Sequence, residues 1–143
     1  YEANPKLEPI IRENHRLNGL EPNLRMRAVT RDGAPVEFHQ NDNVVSSSIL
    51  ERGLDDRKIR VEADSIDTAI ADHEPSVIVM DIEGGEIDAL SETALDGVRD
   101  LVIELHPHIV GEAATEELLA RLADRGFELK AREHKNVLLS RSG

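Results

Sequence analysis

Val77-Ile78-Val79-Met80-Asp81-Ile82-Glu83-Gly84-Gly85-Glu86 is the stretch on which the reading of this chain turns. Four apolar residues run straight into three carboxylates, with a Gly-Gly turn between them. An uninterrupted apolar run of this kind predicts a strand buried on both faces of a parallel sheet. The turn and the acids then fall at the strand's carboxyl end, where open α/β sheets hold their ligands. The pattern is that of an enzyme domain with its chemistry at Asp81.

The chain has 143 residues, enough for one domain with a sizeable core and too few for two ordinary ones. It has no cysteine, which excludes disulfides, thiol nucleophiles and cysteine-ligated metal sites and fits a reducing, cytoplasmic setting. No apolar run approaches the roughly 20 residues that span a bilayer, and no charged-then-apolar leader opens the sequence. Acidic residues number 29 against 17 basic ones, a net charge of −12. That field repels nucleic acid and anionic lipid, so neither is expected as a partner. Only Lys6, Lys58, Lys130 and Lys135 are lysines, and aromatics make up 2%. An acidic surface poor in both resembles proteins of salt-loving organisms; an ordinary acidic cytosolic protein is the alternative.

Outward from the opening motif, the pattern alternates. Asn4 caps a helix over residues 4–17 with Pro5 at its first position, and Asn18-Gly19 ends it. Residues 24–29 and 36–39 read as short strands around the Asp32-Gly33 turn. Residues 41–48, with Ser46-Ser47-Ser48, read as a polar loop, and 59–63 as a strand. A short helix over 65–72 is capped by Asp64 or Ser65. The strand at 76–81 is followed by a helix over 86–95, a second buried strand over 101–106 closed by Pro107, and an amphipathic helix over 115–125. That helix turns Leu118, Leu119 and Leu122 inward. Residues 127–132 and 136–140 form a closing antiparallel hairpin. Such alternation means an α/β fold: a mostly parallel sheet covered by helices, with an antiparallel edge hairpin. The opening, Tyr1-Glu2-Ala3-Asn4-Pro5, reads as a strand's end running at once into a helix, so one or two central strands are expected to precede Tyr1.

Asp81 leads the candidates for chemistry. Val77, Val79 and Asp81 share one strand face, and Ile78, Met80 and Ile82 the other. A carboxylate there is either a cap for the next helix or a functional group. Glu83 and Glu86 favour function, because three close carboxylates repel one another unless something positive joins them. Glu86 has a simpler role available, an acid in a helix's first turn; Glu83 is either solvent-exposed or ligand-facing. In Leu101-Val102-Ile103-Glu104-Leu105-His106-Pro107-His108, Glu104 interrupts a core run and must find a partner. His106 lies on the same strand face. If the two strands pair, about 4.8 Å apart, then Asp81, Glu104 and His106 converge. Carboxylates with an imidazole either bind a divalent cation or set His106 up as a general base oriented by an acid. A structural Glu–His pair steadying the loop at Pro107 is the alternative. His15, His39, His73, His108 and His134 read as loop surface. Glu2 is the last candidate, since an acid ending a strand of a dinucleotide-type fold accepts hydrogen bonds from both ribose hydroxyls.

Together these residues resemble the FkbM-type methyltransferases, which depend on S-adenosylmethionine. Met80-Asp81-Ile82-Glu83-Gly84-Gly85-Glu86 is similar to the family's Asp-Val-Glu-Gly-Ala-Glu hallmark. Tyr1-Glu2-Ala3-Asn4-Pro5 resembles its aromatic-Glu-Pro-Asn-Pro segment, with Ala3 in place of proline. Asn18-Gly19-Leu20, Ala28-Val29 with Asp32-Gly33, Ser46-Ser47-Ser48, Ala63-Asp64-Ser65-Ile66-Asp67 and Glu104-Leu105-His106-Pro107 follow its further segments. The resemblance implies a single Rossmann-like methyltransferase domain of which residues 1–143 form the C-terminal portion. The family's first strand and glycine-rich loop are expected ahead of Tyr1. It also implies Glu2 on the cofactor ribose and Ala28 and Val29 beside the adenine, with Asp81, Glu83, Glu104 and His106 where methyl donor and acceptor meet. For O-methylation of a sugar or other small hydroxylated metabolite, either His106 or Asp81 would remove the hydroxyl proton, or a Mg²⁺ at Asp81, Glu104 and His106 would lower the acceptor's pKa instead. The expected partners are a small-molecule or glycan acceptor, with room for a homodimer.

Two rival readings remain. The Asp81/Glu83/Glu86 cluster could serve a metal-dependent hydrolase or phosphodiesterase, although no basic group for phosphate stands near Asp81 in sequence. A non-catalytic doubly wound module with Asp81 as phospho-acceptor would want more acids at its first strand and a later lysine.

Overall fold

The computed structural model describes residues 1–40 and 57–141, so the serine-bearing stretch 41–48 lies outside the described residues. Asn4 has the predicted capping role, its side chain accepting from Lys6 N–H at 3.1 Å, but it caps a 3₁₀ turn, Pro5–Leu7, that leads into α1 (Glu8–Leu17). Gly19, at φ +67°, ends that helix in the left-handed conformation glycine adopts without a Cβ clash. The opening residues are irregular rather than the end of a strand. Glu2 N–H nonetheless donates to Arg25 O at 3.0 Å, which ties the start to the segment before β1.

The strands are β1 (Ala28–Thr30), β2 (Val36–Gln40), β3 (Arg57–Val61) and β4 (Ala63–Ser65). The run read as one strand over 59–63 is two, because the chain changes partners at Glu62. β3 pairs antiparallel with β2, and β4 pairs parallel with β1. The strand expected over 24–29 begins only at Ala28. Arg27 before it is committed through its side chain, giving hydrogen bonds of 2.7 Å to Asp64 Oδ1 and Ala63 O on β4. Ser65 then caps α2 (Ile66–His73) by accepting from Thr68 N–H.

The main sheet follows: β5 (Val77–Met80), β6 (Asp100–Glu104), β7 (Glu128–Glu133) and β8 (Asn136–Ser140), in the order β5-β6-β8-β7. β5 and β6 are parallel, while β8 is antiparallel to both β6 and β7, so the predicted hairpin sits at one edge. The molecule is thus mixed α/β with small parallel and antiparallel sheets. The helix predicted over 86–95 is α3, Glu86–Leu90 only. Thr93 Oγ1 donates back to Ala89 O at 2.6 Å, the local bonding by which a hydroxyl residue competes with helix continuation. A one-turn helix, α4 (Pro107–Val110), follows His106 and was not expected; α5 (Glu112–Asp124) is the predicted amphipathic helix.

The core lies between the main sheet and its helices. Leu101 and Ile103 of β6, Leu118 and Leu122 of α5, Phe127 and Leu139 are all buried. One expectation fails here. Among the described residues β5 is the outermost strand of its sheet, and its Val77 and Val79 are 43% and 76% exposed. Only Ile78 and Met80 of that strand face the core. Apolar character marks a strand but does not say how many of its faces are covered. α1 likewise leaves Ile10 and Leu17 exposed. Among the described residues no helix is long and apolar enough to cross a membrane.

Two substitutions check this layering. Leu122→Ala, at a fully buried position, is expected to cost about 3 kcal/mol in urea denaturation, while Val79→Thr stays within about 0.5 kcal/mol. Equal losses at both positions would mean that β5 is covered.

Candidate active site

The site begins with a register. Met80 pairs with Ile103 across the parallel β5–β6 ladder. The next residues, Asp81 and Glu104, therefore emerge side by side at the carboxyl ends of both strands. Two residues beyond Glu104, His106 turns inward and is 1% exposed.

What holds His106 is Glu86. Its carboxylate is as buried as the imidazole, at 1% exposure, and Glu86 Oε1 accepts from His106 Nδ1 at 2.9 Å. The same oxygen accepts from Ile82 N–H and Gly84 N–H, each at 3.2 Å. One oxygen thus closes the turn after β5 and fastens it to the loop after β6. The turn allows this because Gly84 sits at φ +103° and Glu83 at φ +55°. For a non-glycine residue that left-handed conformation costs roughly 1–2 kcal/mol. A Cβ at Gly85 would come within 3.1 Å of Ile82 Cδ1, a side-chain tip that would have to give by a few tenths of an ångström.

With Nδ1–H donated to Glu86, Nε2 is the ring atom that faces the acids. That atom is buried and makes no hydrogen bond among the described residues. Three carboxylate oxygens surround it, Glu83 Oε2 at 3.5 Å and Asp81 Oδ1 and Glu104 Oε1 at 3.7 Å each. Asp81 is half exposed at its side chain, and Glu83 and Glu104 are about a quarter exposed. Burial, then the Glu104 and Glu83 charges, raise the Asp81 pKa, against the pull of His106 and Lys135. Lys135 pairs with Glu104, and its own pKa is raised chiefly by that hydrogen bond. The pairing follows from the sheet, because Glu104 lies opposite Asn136 and Leu105 N–H donates to Lys135 O at 2.7 Å.

Among the described residues, Asp81, Glu83 and His106 form the group whose donor atoms all lie within 4.8 Å of one another and could hold a metal ion. Glu104, expected beside Asp81 and His106 as a ligand, stands as near His106 Nε2 as Asp81 does, at 3.7 Å, and also pairs with Lys135. Glu2 lies ahead of the Pro5–Leu7 turn, half-buried, its Oε1 accepting from Asn4 N–H at 2.7 Å. Ala28 and Val29 lie on β1, Ala28 buried in a small cluster with Val61 and Ala63, and Val29 half-buried against the main core. Of the remaining histidines, His108 is exposed on α4 with its ring 5.7 Å from that of His106. His15 and His73 sit on helices rather than loops, and His134 is in the hairpin turn.

A model of the FkbM methyltransferase domain matches residues 2–129. The chain belongs to the FkbM methyltransferase family. No curated protein matches it, and no solved structure does. The FkbM match spans every residue of the acid–imidazole group, from Asp81 to His106. Lys135 lies beyond the matched span and was not singled out by sequence. Glu86 was read there as a first-turn acid, with no sign of its bond to His106.

Two stability measurements probe the site. Glu86→Ala leaves two backbone N–H groups and the imidazole without their acceptor and is expected to cost about 3 kcal/mol or more. Asp81→Asn should instead raise the melting temperature at pH 7 in a chelator. Because the native Asp81 holds its proton more tightly than the unfolded chain, its ionisation opposes folding at neutral pH. The advantage of the asparagine therefore shrinks as pH falls through the carboxylate range. A melting temperature lowered by Asp81→Asn at pH 7 would contradict the crowding of charge.

Proposed function

We propose that this methyltransferase uses S-adenosylmethionine to methylate a hydroxyl of a sugar or another small hydroxylated metabolite. The observation that carries the reading is the acid–imidazole group at the carboxyl ends of β5 and β6, inside the span matched by the FkbM domain. The parallel pairings β1–β4 and β5–β6, the second joined through α3, support a Rossmann-like arrangement for that span.

When bound, S-adenosylmethionine supplies an electrophilic methyl group on a sulfonium. The residues here have to hold a nucleophile in line with it, a task in which alignment matters more than acid–base strength. Asp81 and Glu83 at the rim accept the hydrogen bond of the acceptor hydroxyl and fix its oxygen. The proton leaves that oxygen for this group as the new C–O bond forms. Two carboxylates repel the electron-rich oxygen they would hold until its lone pair is shared with the methyl carbon, which favours a positive charge beside them. Glu2 takes the ribose diol; its carboxylate is half-buried and steadied by Asn4 N–H, which suits a bidentate acceptor. Ala28 and Val29 line the adenine side.

A second reading has one observation in its favour. Lys135, brought to Glu104 by the β6–β8 pairing, supplies in space the basic group that a phosphate-directed hydrolase needs and the sequence around Asp81 lacks.

Calorimetric titration with S-adenosylmethionine and with its demethylated product tests the first reading. Binding in roughly the micromolar range, weakened at least tenfold by Glu2→Ala, is the expected result. No binding to either, with hydrolysis of a phosphodiester that Lys135→Ala removes, would move the protein to the second reading.

A further inference from the structure

The distances around His106 Nε2 are informative because they suit one kind of occupant. A hydrogen bond from this nitrogen to a carboxylate would be about 2.7–3.2 Å long. The observed separations are 3.5 Å to Glu83 Oε2 and 3.7 Å to both Asp81 Oδ1 and Glu104 Oε1. A tetrahedral cation with nitrogen and oxygen ligands at about 2.1 Å sets its donor atoms roughly 3.4 Å apart. The spacing is therefore too long for direct bonding and close to the edge of a coordination shell.

A second observation is independent of the acids. His106 Nε2 is buried, unpartnered and aimed into the group, and the opposite nitrogen is bonded to the buried Glu86 carboxylate. A carboxylate on the far nitrogen of an imidazole fixes its tautomer and strengthens the lone pair presented to a metal. Burying such a lone pair with nothing to accept it is otherwise costly.

We propose that Asp81, Glu83 and His106 Nε2 bind one divalent first-row cation, with Glu86 as the residue that positions His106. A dication there adds positive charge among three acids that Lys135, hydrogen-bonded to Glu104, also faces. An imidazole beside two carboxylates suits Mn²⁺ or Zn²⁺ better than Mg²⁺, whose preferred ligands are all oxygen. This deepens the methyl-transfer reading and rests on it in one respect. The cation's remaining position is the place for the acceptor oxygen, whose proton it would make easier to lose.

Mn²⁺ titration of the intact protein, followed by electron paramagnetic resonance of the free ion and run without cofactor or acceptor, tests the site. One tight site is expected, with affinity at least tenfold weaker in Asp81→Asn and in Glu83→Gln and unchanged in Asp67→Asn, an exposed acid on α2. His106→Gln should abolish the site; if that variant does not fold, the two rim variants decide. Absence of a tight site would overturn the proposal. So would a site equally affected by Asp67→Asn, since that is diffuse attraction to an acidic surface. None of these outcomes bears on S-adenosylmethionine binding, so the metal proposal can fail while the methyl-transfer reading stands.

Discussion

A single buried oxygen, Glu86 Oε1, accepts from Ile82 N–H, Gly84 N–H and His106 Nδ1. Burying a carboxylate is costly unless its lone pairs are filled, and here three donors fill them. In return the turn after β5 has one conformation and the loop after β6 has one place to dock. The left-handed Glu83, the positive φ of Gly84 and the inward imidazole all follow from this convergence. It spans the two parallel strands at the point where their carboxyl ends meet. The acids of the site are therefore mounted on a rigid base rather than on free loops.

The rim has the opposite character. Asp81, Glu83 and Glu104 crowd one nitrogen, and burial together with mutual repulsion lifts the Asp81 pKa. Such an arrangement lowers stability on its own, and strained, charge-crowded positions concentrate where a fold holds a ligand. A methyl-transfer site needs an acceptor oxygen held still and relieved of its proton. On the reading proposed above, a buried imidazole pinned from behind with carboxylates in front would supply the alignment, and their charge would attract a cation. Lys135, bonded to Glu104, relieves part of that repulsion and also pulls on Asp81.

Much of this was legible in the residues. Strand alternation placed Asp81 on a defined face, and the interruption of an apolar run at Glu104 required a partner for it. The spacing from Glu104 to His106 returned the imidazole to the same end of the sheet. The parts that were not legible depend on long-range geometry. Glu86 reaches His106 only because Glu83 and Gly84 fold the turn back, and a first-turn acid has the same sequence signature whether it faces solvent or core. Lys135 reaches Glu104 through the β6–β8 register, which no local pattern encodes. The exposed Val77 and Val79 show the same limit, since an apolar strand does not record which of its faces is covered.

The claim on which the site depends is that His106 is fixed by a proton on Nδ1 shared with Glu86. Long-range ¹H–¹⁵N correlation spectra of the histidine side chains measure this directly. The account predicts that His106 Nδ1 carries a hydrogen-bonded, slowly exchanging proton, and that this signature is lost in Glu86→Gln. A ring protonated at Nε2 alone, with Nδ1 bare, would contradict it.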